Sequence, residues 1–143
     1  MKRLFYQLIV LLLVALYSYT ATSKWADFIK FRNEMMNQPI AHWVAESLIY
    51  TLPVVELAIA LGLLAEKFRK MALLLSSVLL LSFTLYAYAV IIGGFSRIPC
   101  SCGGFIGEMT WLQHLFFTLI LSIASFWSFC SSNQKLYMYN RSS

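Results

Sequence analysis

The sequence predicts an all-α membrane protein, a four-transmembrane-helix bundle with a short interfacial helix after the first span. Three observations lead there. Of 143 residues, 60% are hydrophobic and only 12% charged, about half the charged fraction of a soluble domain. The apolar residues gather in four runs, each long enough to cross a bilayer. Those runs are continuous rather than alternating, which argues against a transmembrane barrel. One compact domain, residues 1–143, is expected, with no room for a separate soluble module.

The expected spans are about 4–23, 46–65, 71–93 and 109–130. The first has no charged residue, although its basic start, apolar middle and small following residues also match the layout of a signal peptide. Its apolar run is long for such a leader, so it is read as a retained span. The second has one charge in its interior, Glu56, three residues after Pro53. The third and fourth have none.

Between the first two spans lies KWADFIKFRNEMMNQPI. Trp25, Phe28, Ile29 and Met36 fall near one face at helical spacing, as in a short helix lying among lipid headgroups. Its expected role is to seal the outer end of the bundle. His42, Trp43 and Trp111 are placed to anchor at the interface, and Glu46 to meet water.

Basic residues set the orientation. Lys2, Arg3, Lys67, Arg69, Lys70, Lys135 and Arg141 lie at one end, against Lys24, Lys30, Arg32 and Arg97 at the other. The positive-inside rule puts both termini in the cytoplasm and the loop RIPCSCGGF on the outer, oxidising side. The net charge of +5 is spread over short loops, which fits topology signals and not nucleic-acid binding. No phosphate loop, nucleophile elbow or paired zinc-binding cysteine motif occurs.

Chemistry concentrates in a few residues. Pro99 restricts the backbone before Cys100 and Cys102, and Gly103 and Gly104 permit turns after them. Two neighbouring thiols in an oxidising compartment tend to form a disulfide. With one residue between them the bridge is strained and easily reduced, which makes a redox centre and not a staple. Cys130 lies near the inner end of the fourth span, about 30 Å from that loop, too far to pair with either.

His114, about one turn into the fourth span, can tune a nearby thiolate or bond to a carbonyl at the interface; both readings stand. Glu56 needs a partner in the bundle. Lys24 and the tyrosines Tyr17, Tyr19, Tyr86 and Tyr88 are the candidates, and a structural hydrogen-bonding role for Glu56 stays open. Two thiolates with His114 or Met109 would also suit a soft ion such as Cu(I). A third class is a non-catalytic membrane assembly factor, with the cysteines as a fixed turn.

The order SKWADF, PVVEL, PCSCGG and WLQH (Ser23–Phe28, Pro53–Leu57, Pro99–Gly104, Trp111–His114) resembles the MauE branch of the DoxX-like membrane proteins. The resemblance covers nearly the whole chain. It implies a bacterial inner-membrane protein tied to thiol redox or envelope protein maturation. The family's prototype is linked to producing the small subunit of methylamine dehydrogenase, a disulfide-rich periplasmic protein.

On that resemblance Cys100 and Cys102 are the redox pair, with His114 and Glu56 as further candidate catalytic positions. Lys24 and Trp111 are motif positions of unassigned role. A maturing envelope protein or a periplasmic protein of thioredoxin-like fold is the implied partner. The bundle is also similar to vitamin K epoxide reductase, where a quinone takes electrons from cysteines. A quinone pocket at Tyr17, Tyr86 and Trp111 would follow. The sequence departs from that second family in having Cys-x-Cys and no second outer pair.

Overall fold

Five helices make up the computed structural model, which describes residues 2–93 and 110–141. They are α1 (Lys2–Ala26), α2 (Phe28–Met36), α3 (His42–Leu64), α4 (Arg69–Ile91) and α5 (Trp111–Arg141). Four are long and apolar enough to cross a membrane, over Arg3–Ala26, His42–Leu64, Arg69–Ile91 and Leu112–Ser132. The chain is an all-α membrane bundle.

Local chemistry sets the helix ends. Asp27 breaks α1 from α2, and its carboxylate caps α2 by accepting from the Lys30 N–H at 3.3 Å. Pro39 follows that helix two residues after its Asn37 cap, where a further helical turn would be blocked. The Arg69 guanidinium donates to the Leu63 and Leu64 carbonyls, at 2.8 and 3.3 Å, and so closes the end of α3. Thr110 and Gln113 form a reciprocal cap on α5: the Thr110 N–H donates to Gln113 Oε1 at 3.0 Å, and the Gln113 N–H donates to Thr110 Oγ1 at 3.3 Å. That pair satisfies two of the donors that a helix start leaves open.

Contacts at one end join Phe5 of α1 to Trp127 of α5, with ring centroids 5.6 Å apart, and Lys70 of α4 to the Phe129 ring at 5.8 Å. The start of α1, the α3–α4 turn and the later part of α5 therefore share that end. At the opposite end α2 folds back along the upper part of α3.

Packing near the first end is tight. Leu13, Leu63 and Leu73 are fully buried in a cluster with Ile59, Leu80 and Leu121. Gly62 lets α3 approach α4: a Cβ added there would sit 3.0 Å from the Ala72 Cβ. Helix α5 lies on α4 along a serine seam. Ser122 Oγ donates to the Ser77 carbonyl at 3.1 Å, Ser77 Oγ to the Ser122 carbonyl at 3.4 Å, and Ser125 Oγ to the Leu73 carbonyl at 2.8 Å. Small polar residues of this kind let membrane helices approach closely and bond across the contact.

The face of α2 differs from the sequence expectation. Phe31 and Met35 are the buried residues, packed with Ala45, Ile49 and Leu52 of α3. Phe28 and Met36 pack partly against that cluster, whereas Ile29 is 76% exposed and Trp25 51% exposed. At an interface both sides of a helix meet partly apolar surroundings, protein on one and lipid on the other. Apolar size alone does not mark which side faces the protein. His42, Trp43 and Glu46 are exposed.

Candidate functional site

A buried stripe runs along α1 at three- and four-residue spacing: Ile9, Leu13, Tyr17, Ala21 and Lys24. This geometry puts residues on one helix face. It also carries a lysine into the bundle at the end of a row of core residues. On α3 the buried positions Ile49, Leu52, Pro53, Glu56 and Ile59 form the facing stripe.

The two stripes meet in an ion pair. Lys24 Nζ donates to both carboxylate oxygens of Glu56, at 2.8 and 2.9 Å. Lys24 is 6% exposed and Glu56 3%. The ammonium also lies 3.5 Å from the Thr20 carbonyl and 5.8 Å from the centre of the Phe31 ring. Three elements thus close around it: α1 supplies the cation, α3 the anion and α2 an aromatic face. The desolvation cost of two charges is several kcal/mol each, so such a pair persists only with close geometry of this kind.

The pair lines a cavity of about 470 Å³. Apolar side chains such as Leu16, Leu48, Leu79 and Phe117 make up much of its wall, with polar groups among them. Tyr86 of α4 donates to Gln38 Oε1 across one side, linking α4 to the segment after α2. Tyr17 meets Ser76 Oγ at 3.0 Å. Thr84 Oγ1 and Thr118 Oγ1 lie 2.9 Å apart between α4 and α5. His114 lines the cavity from the first turn of α5, held there by its N–H bond to the Thr110 carbonyl at 2.9 Å and by the Thr110–Gln113 cap beside it. An apolar cavity with a few convergent polar groups has the make-up of a small-molecule site, whose usual volume is about 300–1,000 Å³.

Several residues singled out from the sequence come together here. Glu56, His114, Tyr17 and Tyr86 all line the cavity, and Lys24 is the partner of Glu56. Tyr19 and Tyr88, also considered as partners, are 47% and 55% exposed and sit on the outward side of their helices. Their positions, two residues from Tyr17 and from Tyr86, turn them away from the cavity. Cys100 and Cys102 lie outside the described residues, as does the side chain of Trp111. The soft-metal set Cys100, Cys102 and His114 therefore falls largely outside them as well. Among the described residues no three His, Cys, Asp or Glu side chains gather as a metal site.

Other site residues were not anticipated. Gln38 and Phe31 were read as connector, and Thr20 as part of an apolar span. Thr20 could have been found four residues before Lys24, on the same face. Gln113 carried a signal too, since Thr-x-x-Gln opening an apolar run is a capping box.

The family model described as Methylamine utilisation protein MauE matches residues 2–131. The chain belongs to the MauE family. The match takes in every helix that contributes to the cavity, together with the segment carrying Cys100 and Cys102. No curated protein and no solved structure matches the chain. In this MauE-family protein the ion pair, the Gln38–Tyr86 bridge and His114 surround one cavity at the end of the bundle where α4 stops and α5 begins.

Proposed function

We propose that this MauE-family membrane protein supports thiol–disulfide chemistry on envelope proteins, with Cys100 and Cys102 as its redox pair. One observation carries the reading. Helix α4 ends at Ile91 and α5 begins at Trp111, and the cavity with its buried ion pair is lined by Tyr86 and His114, each within two turns of those ends. The segment that carries Cys100 and Cys102 thus joins two helices that both line the cavity.

The chemistry is disulfide exchange. A thiolate of a reduced partner attacks one sulfur of the Cys100–Cys102 disulfide and forms a mixed disulfide. The partner's second thiolate then attacks its own sulfur in that bond and releases the remaining cysteine. The partner loses two electrons and gains a disulfide, and Cys100 and Cys102 become two thiols. Return to the disulfide hands two electrons and two protons to a lipid-soluble acceptor of the quinone class. His114, fixed one turn into α5, is the nearest described titratable residue in sequence to Cys102 and the candidate to tune its thiolate.

The partner class is a periplasmic protein with a thioredoxin-like fold or a maturing envelope protein, the class that the family resemblance implies. In this reading the protein sits in the inner membrane with both termini cytoplasmic and the cysteine loop periplasmic.

Deletion and complementation test the proposal. A Cys100→Ser, Cys102→Ser double variant is expected to reach the membrane at normal level and to leave reduced thiols on the client protein. Full complementation by that variant would reduce the protein to a non-catalytic assembly factor. Copper held stoichiometrically by wild type and lost in the variant would replace thiol exchange with soft-metal handling.

A further inference from the structure

The cavity supplies the other half of such a reaction. We propose that it binds the head of a lipid-soluble quinone, with Lys24 as the donor to a quinone oxygen and Glu56 as the group that exchanges its proton. The proposal deepens the thiol-redox reading and takes from it only the source of electrons. The binding site itself stands on separate observations.

First, buried polar groups from three separate segments line the cavity: Lys24 of α1, Glu56 of α3 and Gln38 of the segment after α2. Lys24, Glu56 and Gln38 are 6%, 3% and 7% exposed. Polar groups at such depth are costly unless they are paired, and these are paired beside the cavity, Lys24 with Glu56 and Gln38 with Tyr86. Second, the Lys24 ammonium has only one very short-range charge partner. Two of its N–H groups serve the carboxylate, and the third is directed at the Thr20 carbonyl at 3.5 Å, the outer limit of a hydrogen bond. A carbonyl oxygen entering the cavity offers that third N–H a shorter bond.

Third, the walls are apolar. A lysine–carboxylate pair is neutral as a unit, so the site has no excess charge to attract an ionic ligand. A neutral ring with a hydrocarbon tail and a carbonyl acceptor matches both the walls and the donor. A bare hydrocarbon tail matches the walls alone and leaves the donor unused.

The redox step balances. Cys100 and Cys102 lose their two S–H bonds and gain one S–S bond. Two electrons pass to the quinone, and its two carbonyl oxygens gain two protons to give the quinol. The Lys24–Glu56 pair is an acid–base couple beside the cavity that can supply a proton and recover it from the thiol side.

An azido derivative of ubiquinone with a short tail, photolysed with the full-length protein in nanodiscs, tests the site without relying on turnover. Label is expected on peptides of α1, α3 and α4 that line the cavity, and excess decylubiquinone should suppress it. Lys24→Gln should lower labelling about tenfold through the lost charged donor. Leu48→Trp, which fills the cavity and leaves the ion pair intact, should lower it as strongly. Leu61→Trp, on a side chain 59% exposed on the outer surface of α3, should not change it, nor should the Cys100→Ser, Cys102→Ser variant.

If Lys24→Gln fails to fold, the contrast between Leu48→Trp and Leu61→Trp decides alone. Equal labelling of those two variants, label spread over outward residues, or a co-purified phospholipid that decylubiquinone does not displace would overturn the site. Intact labelling in a protein whose cysteines show no reversible couple would keep the site and remove the thiol reading. The opposite pattern would remove the site and keep the thiols.

Discussion

The two halves of the bundle treat polar residues in opposite ways. Near the α3–α4 turn the serines of α4 and α5 spend their hydroxyls on main-chain carbonyls of the neighbouring helix. Each bond pulls two backbones together, and the glycine at position 62 lets a third approach. In the half capped by α2, polar side chains on the cavity wall bond to each other: Lys24 to Glu56, and Tyr86 to Gln38. Short polar side chains act as adhesive in one half. Long ones act as struts in the other and hold a cavity open.

Breaking one strut should have the largest effect on stability. Glu56→Leu leaves the Lys24 ammonium buried without its anion, and a loss of about 3–5 kcal/mol is expected in detergent unfolding. The double variant Lys24→Met, Glu56→Leu should recover most of that loss, because two apolar side chains fill the same space without a desolvation penalty. Failure to recover would mean that the pair also fixes the α1–α3 register.

Forcing the close-packed half apart comes next. Gly62→Val places a branched side chain against the Ala72 Cβ, where a Cβ alone would already sit at 3.0 Å. A cost of about 1–3 kcal/mol is expected from overpacking, with partial relief from Ala72→Gly. The smallest effects sharpen the adhesive role. Ser125→Ala removes the bond to the Leu73 carbonyl and should cost about 0.6 kcal/mol. Ser128, whose buried hydroxyl has no hydrogen-bond partner among the described residues, should tolerate alanine at no cost in the same assay.

The four spans were legible because each is a continuous apolar run bounded by charge or turn residues. Glu56 was legible for a related reason: a carboxylate in such a run needs a partner, and Lys24 was the nearest cation able to reach it. The face of α2 was not. Trp25, Phe28, Ile29 and Met36 were read as one face among lipid headgroups, yet Phe31 and Met35 hold the contact with α3, and an interfacial helix gives little contrast between its two sides. The cavity was only half legible. Tyr17 and Tyr86 were named for it, but Gln38 and Thr20 become site residues only when α1, α2 and α4 are brought together, and no local pattern records that.

The redox role proposed for Cys100 and Cys102 is tested most directly by the midpoint potential of the pair in the purified full-length protein. A reversible two-electron couple is expected, in the range of the envelope's thiol oxidants, and it should vanish in the Cys100→Ser, Cys102→Ser variant. The same sample should hold no stoichiometric copper. Thiols that cannot be cycled between reduced and disulfide forms, or that retain copper one to one, would contradict it.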